Sequence, residues 1–346
     1  MFSSVLVQRA TCPLVFILGD MEEAGYFYHD LTQILGTEQV LFFPSSFRRA
    51  VKFGQRDAAN EILRTEVISR LSAGHRPLFV VTYPEAVMEK VVSRQKLNEQ
   101  TLRLRAGERV DITFVEETLR AFGFRRVDYV YEPGQFAVRG SILDVFSFSS
   151  EWPYRVDFFG DEVDSIRTFE VQTQLSRDKQ EEIVIVPELA GYVQGKVPFT
   201  DFLPPETVLV MKDLFFLRDV ADRVYADGFS AQALMDEQAR TEMEEAERHE
   251  KLRADLMLVD GSALMKGMLD FRRVEVGNKP SATPQATVRF HLTAQPIFHK
   301  NFELVTRTFH EYLEKGYTLY ILADSAKQTD RLASIFTEQA SGIGFI

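Results

Sequence analysis

The chain has 346 residues, long enough for two or three domains, with 45% hydrophobic and 12% aromatic residues to fill cores and 26% charged residues. A formal net charge of −11 argues against broad, nonspecific binding to nucleic acid, and a single cysteine, Cys12, excludes an internal disulfide and any multi-cysteine metal site. No apolar run approaches the roughly eighteen residues of a membrane span, the first residues lack the basic start of a signal peptide, and a cytoplasmic location is expected.

The first hundred residues alternate strand and helix. "PLVFILGD" (13–20) is a short apolar run, "MEEAGYFYHDLTQIL" (21–35) has helical spacing, and Gly36 can end that helix. "QVLFFP" (39–44) is a second buried strand, stopped by Pro44. Residues 56–74 form an amphipathic helix with Ile62, Leu63, Val67, Ile68 and Leu71 on its apolar side. Residues 77–92 read as a third strand followed by a helix that starts near Pro84. This βαβαβα pattern implies a parallel sheet with helices packed on it.

From about Leu102 to Pro187 the strands alternate instead of being solidly apolar, which predicts a small α+β domain. Its helix starts near Asp111 or Thr113, and its turns fall at Pro133-Gly134 and Gly160-Asp161. The parallel-sheet texture then returns: "ETVLVMKD" (206–213) is a buried strand, and "YTLYILAD" (317–324) a further strand between two helices. Residues 231–256, with eight acids against four bases, read as a solvated helix face. The expected architecture is an α/β domain (1–101 and 188–346) interrupted by an inserted α+β domain (102–187). The chain reads as a fragment of a longer protein.

The chemistry of an enzyme is hard to find. A phosphate-cradling loop needs G-x-x-x-x-G-K-[ST]. The nearest stretch, "AGYVQGKV" (190–197), has Ala190 and Val197 at the first glycine and the hydroxyl positions. The six histidines show no metal spacing, and no serine sits in a nucleophile elbow. No catalytic residue, metal site or cofactor is expected.

The most informative residues lie in two strands, "FAVRGSILDVF" and "YRVDFF". Alternation assigns Phe136, Val138 and Ile142 to one face of the first, and Arg139, Ser141 and Leu143 to the other. In the second strand, Tyr154, Val156 and Phe158 oppose Arg155, Asp157 and Phe159. Arg139, Arg155, Asp157 and Phe159 therefore share an outer face. Three readings fit such a face. The arginines could pair with Asp157, with Phe159 covered by the acidic helix. The face could be a protein–protein hot spot. Or it could hold nucleic acid, although Asp157, Asp161, Glu162 and Asp164 would repel a phosphate backbone.

The stretches "FAVRGSILDVF" and "YRVDFFGDEVDSIRTF" resemble the second domain of the UvrB-homology module, found in the excision-repair protein UvrB and in bacterial transcription-repair coupling factors. The coupling-factor version fits better: "FFPSSFRRAVKFGQRDAANE" leaves no room for the DNA-clamping hairpin of UvrB, and Lys212-Asp213-Leu214 stands where UvrB has its metal and ATP motif. The resemblance implies a degenerate helicase-like domain without ATPase activity, and an inserted domain that docks onto UvrA through Arg139, Arg155 and Phe159, with Asp157 adjacent. It also implies that RNA polymerase and DNA are bound through other domains of the intact factor. The alternative is a nucleotide-dependent UvrB-type helicase. Two positions depart from the pattern: Ala137 stands where UvrB commonly has an arginine, and Ser147 where the family usually has proline.

Overall fold

The computed structural model of the chain describes residues 10–46, 57–74, 77–189, 195–227, 258–277, 280–291, 296–299, 301–321, 323, 325–338 and 343. The chain divides into two compact units, residues 1–283 and 284–346.

The first unit opens with β1 (Leu14–Ile17), whose four residues are all buried. Helix α1 (Met21–Leu35) follows, capped by Asp20, whose carboxylate accepts from the Glu23 N–H. It ends at Gly36, where a φ of 81° needs a residue without Cβ. Strand β2 (Val40–Phe42), helix α2 (Ala58–Ala73) and strand β3 (Phe79–Thr82) come next. Helix α3 (Pro84–Met88) is shorter than the expected helix. Val91–Val92 instead forms β4, a β-branched pair that finds a strand partner further along the chain. Helix α4 (Arg94–Glu99) leads into the inserted domain.

That domain contains β5 (Leu102–Arg105), α5 (Ile112–Ala121, capped by Asp111), β6 (Arg125–Arg126), β7 (Gln135–Arg139), β8 (Ile142–Val145), β9 (Tyr154–Phe159), β10 (Glu162–Phe169), β11 (Ser176–Gln180) and β12 (Glu182–Ile185). Six of these strands form one sheet in the order β11-β10-β9-β8-β7-β6, antiparallel except for the β6–β7 pair. The entry strand β5 and the exit strand β12 pair antiparallel, Leu102 opposite Ile185, so the domain is closed at its root. One face of the sheet builds a core with α5: Phe136, Leu143, Val145, Val156, Phe158, Val163 and Ile166 cluster with Val115 and Leu119.

The chain then returns through β13 (Lys196–Val197), which pairs with β4, and through α6 (Phe199–Phe202), β14 (Val208–Met211), α7 (Leu214–Asp227), α8 (Gly261–Leu269) and β15 (Arg272–Glu275). Strands from before and after the insertion interleave in one fully parallel sheet, β15-β14-β1-β3-β2. Strand β1 lies at its centre, between β3 and β14. The fold is α/β with an inserted α+β domain, as expected. The acidic stretch 231–256 and residues 190–194 of the rejected phosphate loop lie outside the described residues.

The second unit holds two amphipathic helices, α9 (Phe302–Glu314) and α10 (Ala326–Glu338), joined by the stacked rings of Phe309 and Phe336, 5.7 Å apart. The strand expected over 317–324 is not formed in residues 317–321 or 323. A strand needs a paired neighbour, and the described residues of this unit supply none.

Candidate protein-interaction face

Two glycine-led hairpins set the geometry of the inserted sheet. Gly140-Ser141 joins β7 to β8 and Gly160-Asp161 joins β9 to β10, with φ of 61° and 64° at the glycines, as a two-residue turn with glycine first requires. The turns place Arg139 directly opposite Ile142, and Phe159 directly opposite Glu162.

The register corrects one expectation from alternation. Leu143 belongs to the buried face with Phe136 and Val138, and Ile142 shares the outer face with Arg139. Counting by twos through the chain fails here because the two-residue turn brings residues 139 and 142 onto the same side. Arg139, Arg155, Asp157 and Phe159 do share the outer face, opposite Val138, Val156 and Phe158.

The residue that organises this face is Asp144. It is 0% exposed and lies beside Ala137 on one strand and Arg155 on the other. Arg155 donates from Nε to Oδ1 (2.7 Å) and from Nη2 to Oδ2 (2.9 Å), a bidentate pair. Arg139 donates to the same carboxylate from Nη2. The hydrogen bonds to Asp144 raise the Arg155 pKa above its ordinary value, so this guanidinium is permanently charged. Arg155 is held further by the Gln174 carbonyl (3.0 Å) and by the Phe169 ring, 4.6 Å from its Cζ. Its side chain is only 15% exposed. The pairing with Asp157 that the sequence leaves open is not made: among the described residues Asp157 forms no side-chain hydrogen bond or ion pair, and the arginines turn to Asp144 instead.

The exposed part of the face is carried by other side chains. Phe159 is 82% exposed, uncovered by any described residue. Arg139 is about one-third exposed, and its other contacts are the Asp128 carbonyl (3.0 Å) and the Tyr129 ring, 5.2 Å from its Cζ. One rung of the sheet runs Arg139–Ile142–Asp157–Ser165, with Phe159 two residues further along β9. The neighbouring rung runs Ala137–Asp144–Arg155–Arg167–Lys179. Like charges opposite each other across strands are unfavourable, and Asp144 offsets this by neutralising the first of the three cations.

Both departures from the family pattern have packing reasons. Ala137 is buried with Val130, Phe146 and Phe169 in a small cluster that covers the inner end of the face, so a longer side chain would not fit. Ser147 is fully buried. Its Oγ accepts from the N–H groups of Val186 (2.9 Å) and Ser149 (3.1 Å), which ties the exit of β8 to the return segment.

A second place bears on function. The C-terminal end of β1 is where an α/β sheet of this order opens a ligand crevice, because the connections diverge to either side. Here the Gly19 N–H donates to Glu23 Oε2 (2.9 Å), and Lys212, just after β14, lies 2.8 Å from Glu23 Oε1. The Lys212 hydrogen bond, assisted by the Gly19 N–H, holds the Glu23 pKa below its ordinary value. A Cβ added at Gly19 would lie 2.8 Å from the same carboxylate, so the space beside the loop is filled. Asp213 is spent on helix α7, accepting from the N–H groups of Phe215 (2.8 Å) and Phe216 (3.3 Å). Among the described residues no three or more His, Cys, Asp or Glu side chains gather as metal ligands, and no helix is long and apolar enough to cross a membrane.

The inserted domain, with its arginine-bearing hairpins, is similar to a known class: residues 102–190 match the family described as the UvrB interaction domain. Over about half its length the chain is similar to proteins named transcription-repair-coupling factor. The protein of that name from Escherichia coli K12 is 29% identical over 184 residues, covering 53% of this chain and 16% of that protein. The Haemophilus influenzae protein is 36% identical over 124 residues (36% and 11%), and the Bacillus subtilis protein 27% identical over 205 residues (57% and 17%). The matched region is thus less than one-fifth of the length of these relatives.

Proposed function

We propose that this chain is a UvrA-recruiting module acting in transcription-coupled nucleotide excision repair, with Arg139, Arg155, Asp157 and Phe159 forming the docking face. One observation carries the reading. A large aromatic, Phe159, stands 82% exposed on the same outer face as Arg139, an arginine whose direction is set by a buried carboxylate. Exposed aromatics and arginines in fixed geometry are the common anchors of protein interfaces. The similarity to coupling factors supports UvrA as the partner and the bacterial cytoplasm as the location. RNA polymerase and DNA would be engaged by other parts of the intact protein. The net charge of −11 supports weak or no DNA binding here.

The module has no nucleotide-dependent activity of its own in this reading. Support comes from the loop after β1, where the Glu23 carboxylate takes the Gly19 N–H and the Lys212 ammonium that an anion would need, and from Asp213, which serves as a helix cap. The test has two arms. Purified UvrA should be retained by the immobilised chain and lost on Arg139→Glu, and ATP should not be hydrolysed with or without DNA. DNA-stimulated hydrolysis would favour the UvrB-type helicase instead. Failure to retain UvrA would remove the recruitment reading.

A further inference from the structure

The docking face does not end at the four residues named above. The loop between β6 and β7 carries Tyr129, which is 53% exposed and lies under the Arg139 guanidinium. This loop is well anchored. The Val127 N–H donates to the Phe136 carbonyl (2.9 Å), Val130 is fully buried with its carbonyl accepting from Gln174 Nε2 (3.2 Å), and the Tyr131 N–H donates to Gln135 Oε1 (2.9 Å). Tyr129 is therefore an outward-facing aromatic between the partly buried Val127 and the fully buried Val130. The Asp128 carbonyl, one residue earlier, accepts from Arg139 Nη1 at 3.0 Å.

We infer that Tyr129 is a further partner-contacting residue, and that the face runs from Tyr129 through Arg139, Ile142 and Asp157 to Phe159. The inference rests on the recruitment reading above and extends it. Arg139 to Asp157 spans three strands, about 10 Å at the usual strand spacing. Tyr129 adds one aromatic beyond Arg139, and Phe159 adds another two residues along β9. Two exposed aromatics thus bracket the one-third-exposed Arg139 and the partly buried Ile142 between them. Tyrosine and phenylalanine contribute large contact areas while losing few side-chain rotations. The loop is already ordered by its own hydrogen bonds, so little further ordering is needed on binding. Arg155, by contrast, is mostly buried, and it contributes by holding Asp144 and through it Arg139.

The experiment measures UvrA binding by the whole chain carrying Tyr129→Ala, Arg139→Ala, Phe159→Ala or the double change Tyr129→Ala/Arg139→Ala, with a melting curve for each and binding referred to the folded fraction. Phe114→Ala serves as the control, an exposed aromatic on α5, which packs on the opposite face of the sheet. Tyr129→Ala is expected to weaken binding at least about fivefold, the threshold of a significant interface residue, and Phe114→Ala to leave it unchanged. In the Arg139→Ala background Tyr129→Ala should still weaken binding further, because a direct contact does not need the arginine. If Tyr129→Ala matters only when Arg139 is present, it merely orients the arginine, and the inference is overturned. It is overturned as well if Tyr129→Ala binds normally while Arg139→Ala and Phe159→Ala do not. If all three single variants bind normally, the recruitment reading itself is lost, an outcome distinct from the other two.

Discussion

Arg155 meets Asp144 through two hydrogen bonds, 2.7 and 2.9 Å, and the carboxylate they hold is entirely buried. The two arginines that lie together on the outer face therefore do different work. Arg155 is mostly covered and compensates a buried charge. Arg139 shares that charge and keeps its remaining surface toward solvent. A buried carboxylate is tolerated only while its partners remain.

Removing the carboxylate should loosen both arginines. Asp144→Ala is expected to destabilise the inserted domain by about 3 kcal/mol, the range for breaking a buried ion pair. Asp144→Asn keeps the shape and should cost less, but it withdraws the charge that directs Arg139. Chemical denaturation with UvrA titration checks both variants. Asp144→Asn should weaken binding even where the domain is fully folded. A fully stable Asp144→Ala variant would contradict the role given to Asp144.

The corrected register of β8 makes a second prediction. Leu143 is fully buried among Phe136, Val145 and Val156, so Leu143→Ala should cost roughly 3 kcal/mol through the cavity it leaves. Ile142 is on the outer face and only partly buried, so Ile142→Ala should cost about 1 kcal/mol or less. Equal losses in urea denaturation, or a reversed order, would favour the face assignment made by simple alternation.

The Glu23–Lys212 pair should show in the pH dependence of stability. The folded protein holds the Glu23 pKa below its ordinary 4.5, so the unfolded chain takes up a proton first as pH falls. The contribution of the pair is therefore complete above the ordinary value and is lost as pH drops below it, through the lowered folded value. Melting of wild type and Glu23→Gln should differ modestly at pH 7, because the pair is partly exposed, and should converge under acid conditions. A difference that grows toward low pH would have the wrong sign.

Much of this arrangement is legible in the residues. Solid apolar runs such as Leu14–Ile17 and Phe79–Thr82 mark buried parallel strands, and the alternating strands of the inserted domain show which side of β9 is core. Phe159 can be placed on the outer face from period alone. What alternation cannot show is the turn: Gly140-Ser141 shifts the parity of β8, and so misplaces Ile142 and Leu143. It also cannot reveal Asp144 as the shared partner, since that pairing depends on strand register across three strands. In the sequence Asp144 is simply an acid four residues after Gly140. Tyr129 had no periodic signal, lying in an irregular loop whose position is set by distant hydrogen bonds. Residues 317–321 and 323 of "YTLYILAD" show the opposite limit: strong β-propensity does not make a strand where no described residue pairs with it.

Phe159→Ala is the sharpest probe of UvrA binding by the outer face of the inserted sheet, because a side chain 82% exposed can be removed without opening the core. The measurement is a UvrA binding isotherm for wild type and Phe159→Ala beside their melting curves. Phe159→Ala is expected to leave the melting temperature unchanged and to weaken binding by about 2 kcal/mol or more, roughly thirtyfold. Unchanged binding by a normally folded Phe159→Ala variant would contradict UvrA binding by this face.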